Sequence, residues 1–154
     1  MGNKNVNWKK GRGKLGFFDP LIGKWICNKG SKDRMNPECI RTFSYGIGNS
    51  YIIEDVIWNL GNKSYEDHTI IGLDNSKAIT FWSFTSDGKN SSGKFADVTD
   101  AHELAIGFEA AMPAGIARQV FWPDEKEGFH WVVESKNKKG WNRFLHQHYV
   151  PYEK

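Results

Sequence analysis

Long hydrophobic runs are missing from this chain: no stretch approaches the roughly 18 uninterrupted apolar residues that a membrane-spanning helix needs. Residues 1–16, MGNKNVNWKKGRGKLG, also lack the apolar core of a secretory signal, so a cytoplasmic protein without a membrane span is expected. Cysteine is scarce. Cys27 and Cys39 are too few for a structural zinc site, and in a reducing compartment they are expected as two buried thiols. Acidic residues are absent from residues 1–16, which hold five of the 21 basic residues and none of the 18 acidic ones. The remainder is therefore faintly acidic, with 16 basic against 18 acidic residues, and nucleic acid is not expected as a partner. Catalytic signatures are absent as well. There is no Gly-x-Ser-x-Gly elbow, and the Gly-Arg-Gly-Lys run lacks the spacing and preceding strand of a phosphate-cradling loop. No catalytic residue is assigned.

What is present is an aromatic load. Seven Trp, ten Phe and five Tyr make up 14% of 154 residues, beside sixteen Gly, within a globular balance of 39% hydrophobic and 25% charged residues. Large rings and β-branched residues favour pleated surfaces, and such side chains fill one enclosed space. The length suits one domain. We expect a flexible basic tail over residues 1–16 and a single folded domain over 17–154.

Gly, Asp, Asn and Pro punctuate the body at nearly regular intervals, and no long 3.6-residue stripe survives between them. Strands are expected at about 22–28, 39–45, 51–59, 65–73, 78–85, 92–98, 103–109, 115–122, 128–134 and 141–150. Turn chemistry such as Asp87-Gly88 and Asn137-Lys138-Lys139-Gly140 joins them. The expected fold is all-β, a single antiparallel up-and-down barrel of about ten strands. Residues 51–58 are apolar on both faces, and so is the strand holding Phe81 and Trp82, which points to a central position or a homodimer contact.

The first strand is entered by Phe17-Phe18-Asp19-Pro20-Leu21-Ile22-Gly23-Lys24-Trp25. A short apolar turn followed by Gly-x-Trp resembles the calycin superfamily of lipocalins and fatty-acid-binding proteins. It is closest to the uncharacterised lipocalin-like domains of bacteria, which also carry bends like Tyr45-Gly46-Ile47-Gly48 and Gly72-Leu73-Asp74. The overlap runs over residues 17–150. The resemblance makes Gly23 and Trp25 a structural signature, with Trp25 plugging the closed end of the barrel. It also implies a basic side chain across that indole, Arg143 first and Arg118 second. The further lipocalin motifs and the helical lid of fatty-acid-binding proteins are not evident.

The last hairpin has two readings. A three-residue loop after Asn137 pairs Val133 with Leu145 and places Arg143, Gln147 and Tyr149 inside with Trp131. A two-residue loop shifts the register by one, facing Glu134 to Arg143 outside and turning His146 and His148 inward. We follow the first. Arg118, Arg143 and Tyr149 then resemble the Arg/Arg/Tyr cluster with which fatty-acid-binding proteins grip a carboxylate. With Gln147, and with Phe43, Trp82, Phe108 and Trp131 as aromatic walls, they form the expected ligand site. Internal ion pairs to Glu54, Asp55, Glu109 or Glu134 are the alternative use of the arginines. The histidines are expected on the surface, with no carboxylate at ligand spacing; no metal or other cofactor is assigned. The function expected is binding of a small, mainly apolar or amphipathic molecule with an anionic or polar end. An isomerase, cyclase or hydrolase using the same cavity, or a packed homodimeric barrel without ligand, are the alternatives.

Overall fold

Ten strands form a closed antiparallel barrel in which every strand pairs with its neighbours in sequence, and the first pairs with the last. The computed structural model of the protein describes residues 8–153. The strands are β1 (Gly23–Cys27), β2 (Glu38–Tyr45), β3 (Ile52–Asn59), β4 (Ser64–Leu73), β5 (Ile79–Thr85), β6 (Asn90–Ala96), β7 (Ile106–Met112), β8 (Gly115–Pro123), β9 (Phe129–Asn137) and β10 (Gly140–Pro151). Closure runs through Trp25 opposite Pro151 and Ile26 opposite Val150. Full closure leaves no unpaired sheet edge, which removes the usual template for aggregation. Among the described residues no helix is long and apolar enough to cross a membrane.

One end of the barrel is filled by rings. A 3-10 segment, Lys14–Leu21, runs into β1 and inserts Phe18 and Leu21, both fully buried. Phe18 stacks on Phe108 at 5.7 Å, and Phe121 and Phe129 close the layer with Phe43. Burying each such ring contributes about 1.5–3 kcal/mol. The chain enters β1 at Gly23 with φ of 140°, a left-handed conformation that favours glycine. Trp25 follows, edge-on to Phe129 at 5.0 Å, and its Nε1–H donates to the Leu21 carbonyl at 2.7 Å. The expected cation over Trp25 is not supplied by either candidate, since Arg143 lies over Trp122 and Arg118 over Trp141.

One expectation about segments is corrected. The seventh strand begins at Ile106 rather than near 103, and residues 97–105 instead lie over the outside of the sheet. There Val98 and Ala105 pack with Val120 and Val132 in a small outer core beside Trp122. Residues 8–16 of the expected tail are among the described residues. Trp8 packs against the main core, and its Nε1–H donates to the Leu104 carbonyl at 3.1 Å. Residues 1–7 lie outside the described residues.

The last hairpin combines both sequence readings. Near the turn Asn137 pairs with Gly140 and Glu134 with Arg143, the register of a two-residue loop. The register then shifts between Arg143 and Leu145, and Leu145 pairs with Val133, Gln147 with Trp131 and Tyr149 with Phe129. Phe144 is the extra residue of a β-bulge, 61% exposed. The bulge sends Arg143 outward while keeping Gln147 and Tyr149 inside.

Candidate functional site

Alternation along β2 points Cys39, Arg41 and Phe43 inward, and Arg41 is the arginine that the barrel encloses. It is only 2% exposed. Its Nη1–H donates to Glu54 Oε2 on β3, and its guanidinium lies 4.2 Å over the Trp131 ring and 4.9 Å over Tyr149. An ion pair held in low dielectric between two aromatic faces keeps a fixed orientation. Burial pushes the Glu54 carboxyl above its ordinary pKa, while Arg41 pulls it the other way. The Arg41 Nε, also buried, has no acceptor among the described residues.

Behind this pair runs a hydrogen-bonded chain. The Tyr149 hydroxyl donates to Gln147 Oε1 at 2.6 Å, and Gln147 Nε2 donates to Cys39 Sγ at 3.3 Å. Cys27 and Cys39 sit opposite one another on β1 and β2, both free and buried. The hydrogen bond between them and their burial raise the Cys39 pKa. On the other side, Asp67 Oδ1 accepts from Thr69 Oγ1 at 3.0 Å and from Ser83 Oγ at 2.9 Å. Trp131 Nε1–H donates to Gln119 Oε1 at 3.0 Å.

Between these groups lies a cavity of about 190 Å³. Its polar wall is Arg41, Glu54, Asp67, Ser83 and Gln119, and its apolar wall is Phe81, Phe108, Trp131 and Val133. Met112, 41% exposed, stands among the lining residues at the end away from Trp25.

The residues expected at the site separate into four places. Phe108 and Trp131 line the cavity. Gln147 and Tyr149 are buried behind Trp131 and Arg41. Phe43 belongs to the closed end, 6.0 Å from Phe121 and 6.4 Å from Phe129. Trp82, Arg118 and Arg143 point outward, because their strand registers put Phe81, Ala117, Gln119 and Leu145 inside. Trp82 joins Ile47, Ile53, Ile70 and Phe84 around an apolar groove on the outer face. Arg118 borders the cavity from β8, but its guanidinium is engaged on the other face. There Nε–H donates to Glu134 Oε1, and Nη1 and Nη2 donate to the two oxygens of Asp100, all at 2.8 Å. Arg143 Nε–H donates to the second Glu134 oxygen at 2.8 Å. The alternative use of the arginines, an ion pair to Glu134, is therefore the one the fold adopts.

Arg41 was readable from sequence: it lies two residues from Phe43, so any register that buries Phe43 buries Arg41 too. A second group assembles on the outer flank, where His130, His146 and His148 face outward as expected. A carboxylate does join them, because the turn after β8 brings Asp124 Oδ1 to 2.8 Å from His130 Nε2. Comparison with protein-family models, with curated proteins and with solved structures finds no match to this chain.

Proposed function

We propose that the protein binds a compact, one-ring-sized molecule in the barrel, apolar over most of its surface and with a neutral or cationic polar end. The observation that carries this reading is the enclosed Arg41–Glu54 pair at the wall of a cavity of about 190 Å³. A cavity of about 150 Å³ holds benzene, whereas drug-sized ligands occupy about 300–1,000 Å³, so a long acyl chain does not suit this space. Phe81, Phe108 and Trp131 offer an apolar wall. Glu54 and Asp67 set two carboxyls against one guanidinium, which disfavours the anionic end expected from the sequence.

The test is a binding panel of phenol, benzamidine, benzoate and palmitate, followed by calorimetry and by protein amide shifts. Phenol or benzamidine is expected to bind and to move the amides of β2, β3 and β9, with benzoate and palmitate weaker. Tighter binding of palmitate or benzoate, or no binding by any single-ring probe, would sink the reading.

A second reading is a homodimer, favoured by the outer groove in which Phe84 is 49% and Ile47 86% exposed beside Trp82. Sedimentation velocity is expected to show a dimer that Trp82→Arg dissociates; a monomer at all concentrations removes this reading.

A further inference from the structure

On the outer flank of the closed end, Asp124, His130 and His148 bring three ligand-type atoms within 4.8 Å of one another. We propose that they bind a divalent transition-metal ion of the zinc type, outside the barrel and separate from the cavity. Asp124 Oδ1 lies 2.8 Å from His130 Nε2 and 3.8 Å from His148 Nε2. Two imidazoles and a carboxylate suit zinc or a neighbouring first-row ion, with metal–ligand bonds of about 2.0–2.2 Å. Bonds of that length at a tetrahedral centre set ligand atoms about 3.3 Å apart. His148 Nε2 lies 2.9 Å from the Glu127 carbonyl oxygen and its ring stacks on His130 with centroids 4.7 Å apart, so both imidazoles turn when they ligate.

The three groups come from separate elements that the fold holds in place. His130 and His148 are directly opposite in the β9–β10 ladder, and Asp124 follows β8 at the start of the turn. The second Asp124 oxygen accepts from the backbone N–H of Lys126 at 2.9 Å and of Glu127 at 3.2 Å, which fixes the carboxylate with Oδ1 toward the imidazoles. His130 is oriented from both sides. Its ring stacks on Trp122 with centroids 5.3 Å apart, and its Nδ1 lies 3.0 Å from His146 Nε2. A ligating imidazole ordinarily uses its other nitrogen for such an outer hydrogen bond, so His146 fits as the group that orients His130. Three protein ligands leave a fourth position for water or a small anion.

The full chain, without an affinity tag and stripped with a chelator, is titrated with Zn²⁺ by calorimetry and with Co²⁺ by visible absorption. One ion per chain is expected, with cobalt bands of a nitrogen- and oxygen-bound centre. His130→Ala and His148→Ala each weaken binding by more than about tenfold. His148 is 42% exposed in its side chain, so its variant reports on the site even where His130→Ala fails to fold. His68→Ala, which removes the exposed histidine paired with Asp55, leaves binding unchanged. Absence of saturable one-to-one binding, or binding that survives in His148→Ala, overturns the site.

Discussion

The barrel carries two arginine–glutamate clusters, one inside and one outside, and their difference lies in how completely each arginine is satisfied. Outside, Arg118 donates from Nε, Nη1 and Nη2 to Glu134 and Asp100, and it also lies 4.2 Å over the Trp141 ring. All three of its nitrogens are engaged, and the two Nη atoms tie residues 97–105 to the sheet through Asp100. Inside, Arg41 donates to Glu54 and packs between Trp131 and Tyr149, yet its Nε has no acceptor. A buried donor without a partner costs about 1–3 kcal/mol, a cost that a fully closed cluster avoids. The outer cluster therefore fastens the covering segment to the sheet, while the inner one stands at the wall of the cavity. Residue type was the same in both; strand parity and the elements brought alongside set the role.

Breaking the outer cluster should have the larger effect on stability. Arg118→Ala leaves Glu134 buried with one partner fewer and frees Asp100, and a loss of about 3 kcal/mol is expected. Chemical denaturation measures the loss, and hydrogen exchange should show early opening at Val98 and Ala105. A loss below about 1 kcal/mol would mean that the apolar contacts of residues 97–105 hold them unaided. The inner pair is the sharper case. Replacing both members, Arg41→Met with Glu54→Leu, removes two buried charges together, so stability is expected within about 1 kcal/mol of the parent or above it. Binding of the single-ring probes should be lost in the same protein. If the probes still bind, the polar wall does not orient them. Arg143→Ala should have the smallest effect, about 1 kcal/mol or less, because its side chain is 37% exposed. Probe binding should be unchanged, in contrast to what an inward Arg143 would require.

Most of the barrel was legible from sequence because alternation and turn residues are local signals. Ten strands follow from them, and turns such as Asp87-Gly88 mark their ends. The errors arise where a distant element decides. Leu104 alternates correctly with Ile106 and Phe108, but it is 48% exposed and lies in the covering segment rather than in a strand. Asp124 serves the turn after β8 through Oδ2, and its other oxygen reaches His130 only because β9 returns beside it. Phe81 and Trp82 are both large and aromatic, so the sequence of β5 alone does not say which of the two faces the interior. Arg41 carries a local signal, its parity with Phe43 along β2, whereas the resemblance to fatty-acid-binding proteins points to arginines of later strands.

The bulge at Phe144 has a topological consequence. Counting from Val133 to Leu145, the hairpin contains one residue more than a two-residue turn and an uninterrupted ladder require. That surplus can be stored at Phe144 or inside a three-residue turn, and the pairing of Leu145, Gln147 and Tyr149 is the same either way. Only the stretch from Trp141 to Phe144 inverts, carrying Arg143 from one side of the sheet to the other. Only the bulged ladder sets Arg143 opposite Glu134, so the ion pair between them favours that isomer and leaves the charge on the outer surface of the barrel.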